Sequence, residues 1–206
     1  MIKVENITTW GFSHAIRGMR NPVNSWNKSD SYRNENGEFV VGDADIALMR
    51  KLCQAGPEHR KFMRQIFISL DIMAPLYWWK EFDTYKVGTT ADSCSTMHTI
   101  HKRPFHYEDF STEHMRQLTQ DTLRDTVRLL NGYREEFVET GNKDAWWQTI
   151  QLLPESYNQR RTVTMTYENA WAMIHQRENH RLDEWVEFVK VLKPLPHIKE
   201  IMENVD

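Results

Sequence analysis

Apolar and polar residues alternate most regularly over residues 65–73, where Ile66, Ile68, Leu70 and Ile72 recur at every second position. That period, rich in β-branched side chains and ended by Ala74-Pro75, predicts a strand. Proline is preorganised for the first turn of a helix, so a helix is expected over 76–86, carrying Tyr77, Trp78, Trp79, Phe82 and Tyr85. The next stretch, 87–98, is dense in Gly, Thr, Ser, Asp and Cys and reads as a loop. Such a loop caps neighbouring helices and satisfies its own backbone, or it receives a phosphate or polar heterocycle on small side chains that permit close approach.

The same reading extends to the rest of the chain. Residues 1–9 form a short strand through Ile2, Val4 and Ile7, 10–20 a helix, and 21–37 a polar loop. Asp43 is the candidate cap of a helix over 44–54, with Ile46, Met49, Leu52 and Cys53 at helical spacing. Ser111 or Thr112 is expected to cap a long helix to about residue 139, with Met115, Leu118, Val127, Leu130 and Phe137 on its apolar side and Gly141 past its end. A helix over 144–152 stops at Leu153-Pro154. Residues 162–166 alternate as a strand, Thr166 caps a helix over 167–177, and a last helix over 180–193 precedes Pro194 and Pro196. Segregated strands and long helices predict an α+β fold, read as a single domain over 1–206.

Composition narrows the function. The 206 residues are 40% hydrophobic and include eight Trp, enough for one good core. A formal net charge of −3 gives no general attraction to nucleic acid or an anionic membrane. Cys53 and Cys94 are the only cysteines, too few for a disulfide framework or a cysteine-only zinc site, which points to a reducing compartment. The start lacks a basic segment followed by an apolar run, and the longest apolar run is interrupted by Asp71, so a cytoplasmic location without membrane spans is expected. His98, His101 and His106 surround Lys102-Arg103-Pro104. With no carboxylate to complete a ligand set, they read as polar contacts or an anion-binding surface and not as a metal site, and a nucleic-acid role would rest on them alone. The common nucleotide, metalloprotease and hydrolase motifs are absent.

Ala74-Pro75, the spacing that follows it, and the ordered series Tyr133-Arg134-Glu135-Glu136, Gly141 and Leu153-Pro154 together resemble the flavin-dependent thymidylate synthases. That family carries a helix-entering Ala-Pro followed by Arg-His-Arg-x-x-Ser-x-Asn-(Glu)-x-Ser-x-Arg. Anchored at Ala74-Pro75, the three basic positions are taken here by Thr84, Tyr85 and Lys86, and the two serines by Thr89 and Cys94. Asp92 keeps the acidic position, while Ala91 and Thr96 replace the asparagine and the closing arginine. Downstream, Ile150, Thr166 and Glu168 stand where the family has Arg, Asn and Arg, and Arg177 coincides with its substrate-activating arginine.

The resemblance implies a flavin (FAD) held beside a uracil deoxynucleotide such as dUMP, with NADPH and methylenetetrahydrofolate as co-substrates, in a cytoplasmic homotetramer. It implies cofactor binding by His59, Tyr85, Lys86, Asp92 and Thr166, and substrate binding by Glu81, Thr84, Cys94 and Arg177. It further implies that Arg177 is the catalytic residue, its guanidinium stabilising charge that develops on the pyrimidine. Two other readings follow from the replaced positions. One is a flavin enzyme with a changed pyrimidine substrate; the other is a nucleotide-binding or structural oligomer without catalysis.

Overall fold

The strand expected at 65–73 forms over Phe67–Pro75, and its alternation is realised as burial. Ile68, Leu70, Ile72 and Ala74 are at most 1% exposed, whereas Phe67, Ser69, Asp71 and Met73 are half-buried. The computed structural model describes residues 2–203, so Met1 of the first predicted strand and residues 204–206 lie outside the described residues. Within them the chain runs β1 (Lys3–Trp10), α1 (Phe12–Arg20), β2 (Tyr32–Arg33), β3 (Phe39–Val40), α2 (Asp43–Gln54), β4 (Phe67–Pro75), α3 (Leu76–Phe82), β5 (Thr89–Ser93), α4 (Thr96–Thr99) and α5 (Gln117–Thr140). It continues through α6 (Lys143–Leu152), β6 (Asn158–Thr166), α7 (Tyr167–Arg177), α8 (Asp183–Leu192) and α9 (Ile198–Met202).

β1, β4, β6 and β5 lie side by side in that order, and β2 pairs with β3 in a small antiparallel ribbon. Tyr167 N donates to Ile66 O and Leu76 N to Tyr157 O, a falling register that makes β6 antiparallel to β4. Thr166 N to Gly88 O and Cys94 N to Arg160 O do the same for β5.

The chain forms two compact units, one of residues 2–3, Ile72–Thr84 and Asp92–Arg161, the other of Val4–Asp71, Tyr85–Ala91 and residues 162–203. In the first, Trp78, Trp79 and Phe82 are at most 1% exposed and meet in edge-to-face and stacked pairs. Trp79 Nε1 donates to Gln159 O at 3.0 Å, so the indole is buried with its polar atom satisfied. A second cluster joins Ile100, Phe105 and Phe110 to Leu123, Val127 and Leu130 of α5, with Ile150 and Tyr157 packed against it. In the second unit, Trp185, Phe188, Val189 and Leu192 of α8 are buried, as are Met173 and Ile174 of α7 and Met49 and Cys53 of α2.

Several local expectations are corrected. The helix over 76–86 ends at Phe82, where Asp83 N donates to Trp79 O and the Thr84 hydroxyl donates to Glu81 O. The stretch 87–98 is not one loop, because Thr89–Ser93 pairs with β6 as an edge strand and Ser95 caps α4 by accepting from His98 N. Asp43 is the first residue of α2 and not its cap. Asp30 reaches over from the polar loop to accept from Ala44 N (2.8 Å) and Asp45 N (3.1 Å), and a Cβ on Gly42 would sit 2.2 Å from the Asp30 carboxyl carbon. The long helix begins at Gln117, since the Ser111 hydroxyl is engaged with Asn158 and Leu118 is 79% exposed. α9 follows the prolines thought to end the last helix.

Candidate functional site

In the second unit the construction starts at Thr166. Its hydroxyl accepts from Asn169 N (3.3 Å), and the Asn169 side chain accepts from Thr166 N (3.2 Å), a reciprocal cap that starts α7 at the residue expected. The Asn169 amide also donates to Val87 O, and Thr166 N donates to Gly88 O. The 85–91 segment is thereby tied to α7. At the far end of the helix Arg177 Nε donates to the Tyr85 hydroxyl at 3.0 Å, and that hydroxyl donates to Gln176 Oε1 at 2.8 Å. Arg177 Nη1 stands 2.8 Å from His180 Nε2, and the guanidinium carbon lies 4.8 Å from the centre of the Trp185 ring. The result is a half-buried cation fixed by a phenol, an imidazole and an aromatic face.

His59 is exposed and precedes the 3-10 turn Arg60–Gln65; Lys86 is exposed beside Tyr85. Arg60 lies 3.7 Å from the centre of the Trp171 ring, and Glu168 pairs with both Arg60 and Arg64. Trp171 Nε1 and the Thr89 hydroxyl are buried and have no hydrogen-bond partner among the described residues, while Arg60 Nε faces Glu168 Oε1 at 3.6 Å. Buried donors without acceptors are costly, and a ligand rich in carbonyl and phosphate oxygens is the kind that relieves them. Cys53, by contrast, is a core thiol: burial pushes it up to about 12, and it plays no nucleophilic part.

The first unit carries Glu81, Thr84, Asp92 and Cys94. Cys94 is exposed and its main chain is gripped by β6, with its N–H donating to Arg160 O (2.9 Å) and its carbonyl accepting from Gln159 Nε2 (2.8 Å). It borders a cavity of about 300 Å³ whose walls include Ser95, Thr96, Lys102, Arg103, Tyr157 and Arg160. Asp109 takes two 2.7 Å hydrogen bonds from Arg103. Burial works against the Asp109 carboxylate, yet those bonds and the His106 N–H hold it below the ordinary carboxylate range. Burial raises the Tyr157 phenol.

Of the residues expected from the sequence, the structure brings Tyr85 and Arg177 into direct contact and places Thr166 at the start of the same helix. Glu81, Thr84, Asp92 and Cys94 fall in the first unit, His59 and Lys86 in the second. Sequence reasoning did not find Arg60, Trp171, His180, Trp185 or Tyr157. Only His180 and Trp185 offered a signal, being three and eight residues past Arg177 on or near its helical neighbours. Among the described residues no group of three His, Cys, Asp or Glu side chains is placed to hold a metal, and no helix is long and apolar enough to cross a membrane.

A four-stranded sheet in the order β1-β4-β6-β5 with long packed helices matches the α+β fold of flavin-dependent thymidylate synthase structures. The chain is similar to the crystal structure of thymidylate synthase X (ThyX) from Helicobacter pylori with FAD and dUMP, at TM-score 0.73 and 15% identity over 100% of this chain and 98% of that one. A second structure, flavin-dependent thymidylate synthase ThyX from Helicobacter pylori complexed with FAD and dUMP, is similar at TM-score 0.68 and 15% identity over 99% and 98%. No protein-family profile and no curated protein matches the chain by sequence.

Proposed function

We propose that the protein is a flavin-dependent transferase of the thymidylate synthase type, adding a one-carbon unit at C5 of a uracil deoxynucleotide. What carries the reading is full-length likeness in fold to structures described with FAD and dUMP, joined to a fixed cation, Arg177, at the end of α7. FAD, when bound and reduced, supplies hydride. His59, Tyr85, Lys86, Asp92 and Thr166 are assigned to hold it. NADPH is the reductant and methylenetetrahydrofolate the carbon donor in this reading, and the chain works as one domain in a cytoplasmic homotetramer.

Glu81, Thr84, Cys94 and Arg177 are assigned to the nucleotide. The role of Arg177 is electrostatic. A guanidinium already oriented by Tyr85 and His180 stabilises negative charge gathering on the pyrimidine without reorganising as the reaction proceeds. The test is twofold: visible absorbance of the protein after addition of FAD and desalting, and turnover of dUMP by Arg177→Ala. Retained flavin and a loss of at least ~100-fold in turnover, with the circular dichroism unchanged, are expected. A colourless protein, or an Arg177→Ala variant as active as the parent, overturns the reading.

A second reading has its own observation. Ile150, at a position the family fills with Arg, packs against the apolar cluster of Ile100, Phe105 and Leu130, and no cation can be supplied from there. With Thr84 and Thr96 also uncharged, this favours a nucleotide-binding protein with a changed pyrimidine or without catalysis. A nucleotide panel showing preference for dUMP together with turnover decides against it.

A further inference from the structure

In the second unit a cavity of about 200 Å³ is lined from α1 and from the 26–39 segment, with Arg17 and Arg20 on its lining and no carboxylate. Arg20 is 4% exposed; it spends Nε on Asp45 Oδ1 (2.6 Å) and Nη1 on the Ser25 carbonyl (3.2 Å). Its Nη2 has no hydrogen-bond partner among the described residues. A guanidinium nitrogen left over on a buried side chain is costly until an acceptor meets it. Asp45 is already engaged, since its Oδ2 accepts from the Ser29 and Ser31 hydroxyls, and those two lining serines thereby have their hydrogens committed. Arg17 is exposed and has only the His14 ring beside it, at 3.4 Å, with no carboxylate partner among the described residues. The Ser13 hydroxyl has no partner there either. Ser13, Arg17 and Arg20 are spaced i, i+4, i+7 on α1, so three donors with unused capacity share one helix face. The remaining lining is apolar or aromatic: Ile16, Trp26 and Phe39. Trp26 Nε1 donates to Asn21 Oδ1 at 2.8 Å, which uses its polar atom and leaves ring surface for contact. The volume lies below that of drug-sized ligand sites and restricts the occupant to a small molecule. Arginine forks match the plane of a carboxylate, and flat rings match a flat apolar body.

We propose that this cavity binds a small aromatic monocarboxylate, its carboxylate held by Arg17 and by Nη2 of Arg20 with Ser13 as hydroxyl donor, and its ring against Trp26 and Phe39. The inference is independent of the flavin and nucleotide readings, because none of the residues assigned to either lines this cavity.

Titration of the nitrogen-15-labelled full chain with benzoate tests it, read from the Trp26 indole N–H resonance, which is identified by its loss in Trp26→Phe. Benzamide, of the same shape without the charge, and acetate, with the charge and no ring, are the comparisons. Charge-assisted hydrogen bonds are each worth about 10-fold or more, and burying a ring contributes about as much. Benzoate is therefore expected to bind at least ~10-fold tighter than either comparison. Arg17→Gln is expected to weaken benzoate at least ~10-fold and benzamide less than ~2-fold, with the circular dichroism unchanged. Lys28→Gln removes an exposed cation that does not line the cavity and should leave benzoate affinity within ~2-fold. Binding of none of the three, benzamide or acetate binding as tightly as benzoate, or equal losses in Arg17→Gln and Lys28→Gln overturns the proposal. Inorganic phosphate binding as tightly as benzoate marks a general anion site and overturns the aromatic carboxylate assignment. The comparison of the three ligands on the parent chain decides the matter even if a variant fails to fold.

Discussion

Arg20 and Asp45 form an ion pair with side chains 5% and 0% exposed, and replacing Arg20 by Met tests how the polar loop is held. Arg20 Nε donates to Asp45 Oδ1 at 2.6 Å, while Asp45 Oδ2 accepts from the hydroxyls of Ser29 and Ser31, each at 2.6 Å. Removing one partner of a buried pair costs about 3–5 kcal/mol, because the other charge stays behind in a dry site. The two serine hydroxyls remain, which places the expected loss near the lower bound, about 3 kcal/mol. With a urea slope of about 2 kcal/mol/M this lowers the unfolding midpoint by roughly 1.5 M. The pH dependence has a definite sign. Burial tends to raise the Asp45 carboxyl, but the bonds from Ser29, Ser31 and Arg20 outweigh it and hold the group below its ordinary value. Its stabilisation is therefore present above about pH 4 and is lost as pH falls through the depressed native value. In the Met variant the same carboxyl is left without its cation and titrates higher, so its penalty is relieved by acid. The gap between parent and variant should narrow as pH falls. A gap below about 1 kcal/mol at neutral pH, or one that does not narrow as pH falls below about 3, refutes the account.

Thr166→Ala should cost about 1–2 kcal/mol in urea unfolding and Thr166→Ser much less, since the hydroxyl caps α7; equal losses would show that the methyl and not the cap matters. Gly11 has φ +99°, and a Cβ there would lie 2.1 Å from Gln65 O, so Gly11→Ala should destabilise by more than about 2 kcal/mol, and a near-neutral effect on the melting temperature contradicts the geometry. With the Cys53 thiol pushed up to about 12 by burial and Cys94 exposed, the native protein should take up one maleimide near pH ~8 and two after unfolding. Mass spectrometry reads the count, and rapid double labelling of the native chain would refute the burial of Cys53.

What was legible in the sequence is what local pattern dictates. β4 announces itself because Ile66, Ile68, Leu70 and Ile72 alternate, and α7 because Thr166 and Asn169 cap it through neighbours three residues apart. β5 was not legible: an edge strand whose Thr90, Ala91, Asp92 and Ser93 are all exposed has no apolar face to show a period. The start of α5 misled because Leu118 extends the apolar stripe in sequence while facing solvent, the buried stripe being Leu123, Val127 and Leu130. The Asp30 cap of α2 and the Arg20–Asp45 pair join residues 14 and 25 positions apart, which no window on the chain reveals. For the candidate site the limit is the same. Arg177 was reached by resemblance; His180 and Trp185 lie within eight residues of it, but its contact with Tyr85 spans 92 positions.

A likeness in fold at 15% identity has a physical basis. Fold is set by apolar periodicity, caps and a few glycines, all of which operate whether or not a signature cation is kept, so 15% identity is enough to preserve it. Polar function needs particular atoms, and in the first unit those atoms are organised along one stretch of β6. Asp83 accepts from Arg161 Nη1 at 2.7 Å, Arg161 Nε donates to Gln159 Oε1 at 3.0 Å, and Gln159 Nε2 donates to Cys94 O at 2.8 Å. The Arg161 guanidinium meanwhile lies 4.2 Å from the centre of the buried Trp79 ring, so the line of bonds is anchored in the core. Arg160, one residue away, has its carbonyl on the Cys94 N–H and lines the cavity. Gln159 and Arg161 brace the segment through their side chains, while Gln159 and Arg160 both border the cavity. With Thr84 and Thr96 uncharged, Arg160 and Arg161 are the cations of this stretch, and the frame that carries them is held in place by the core.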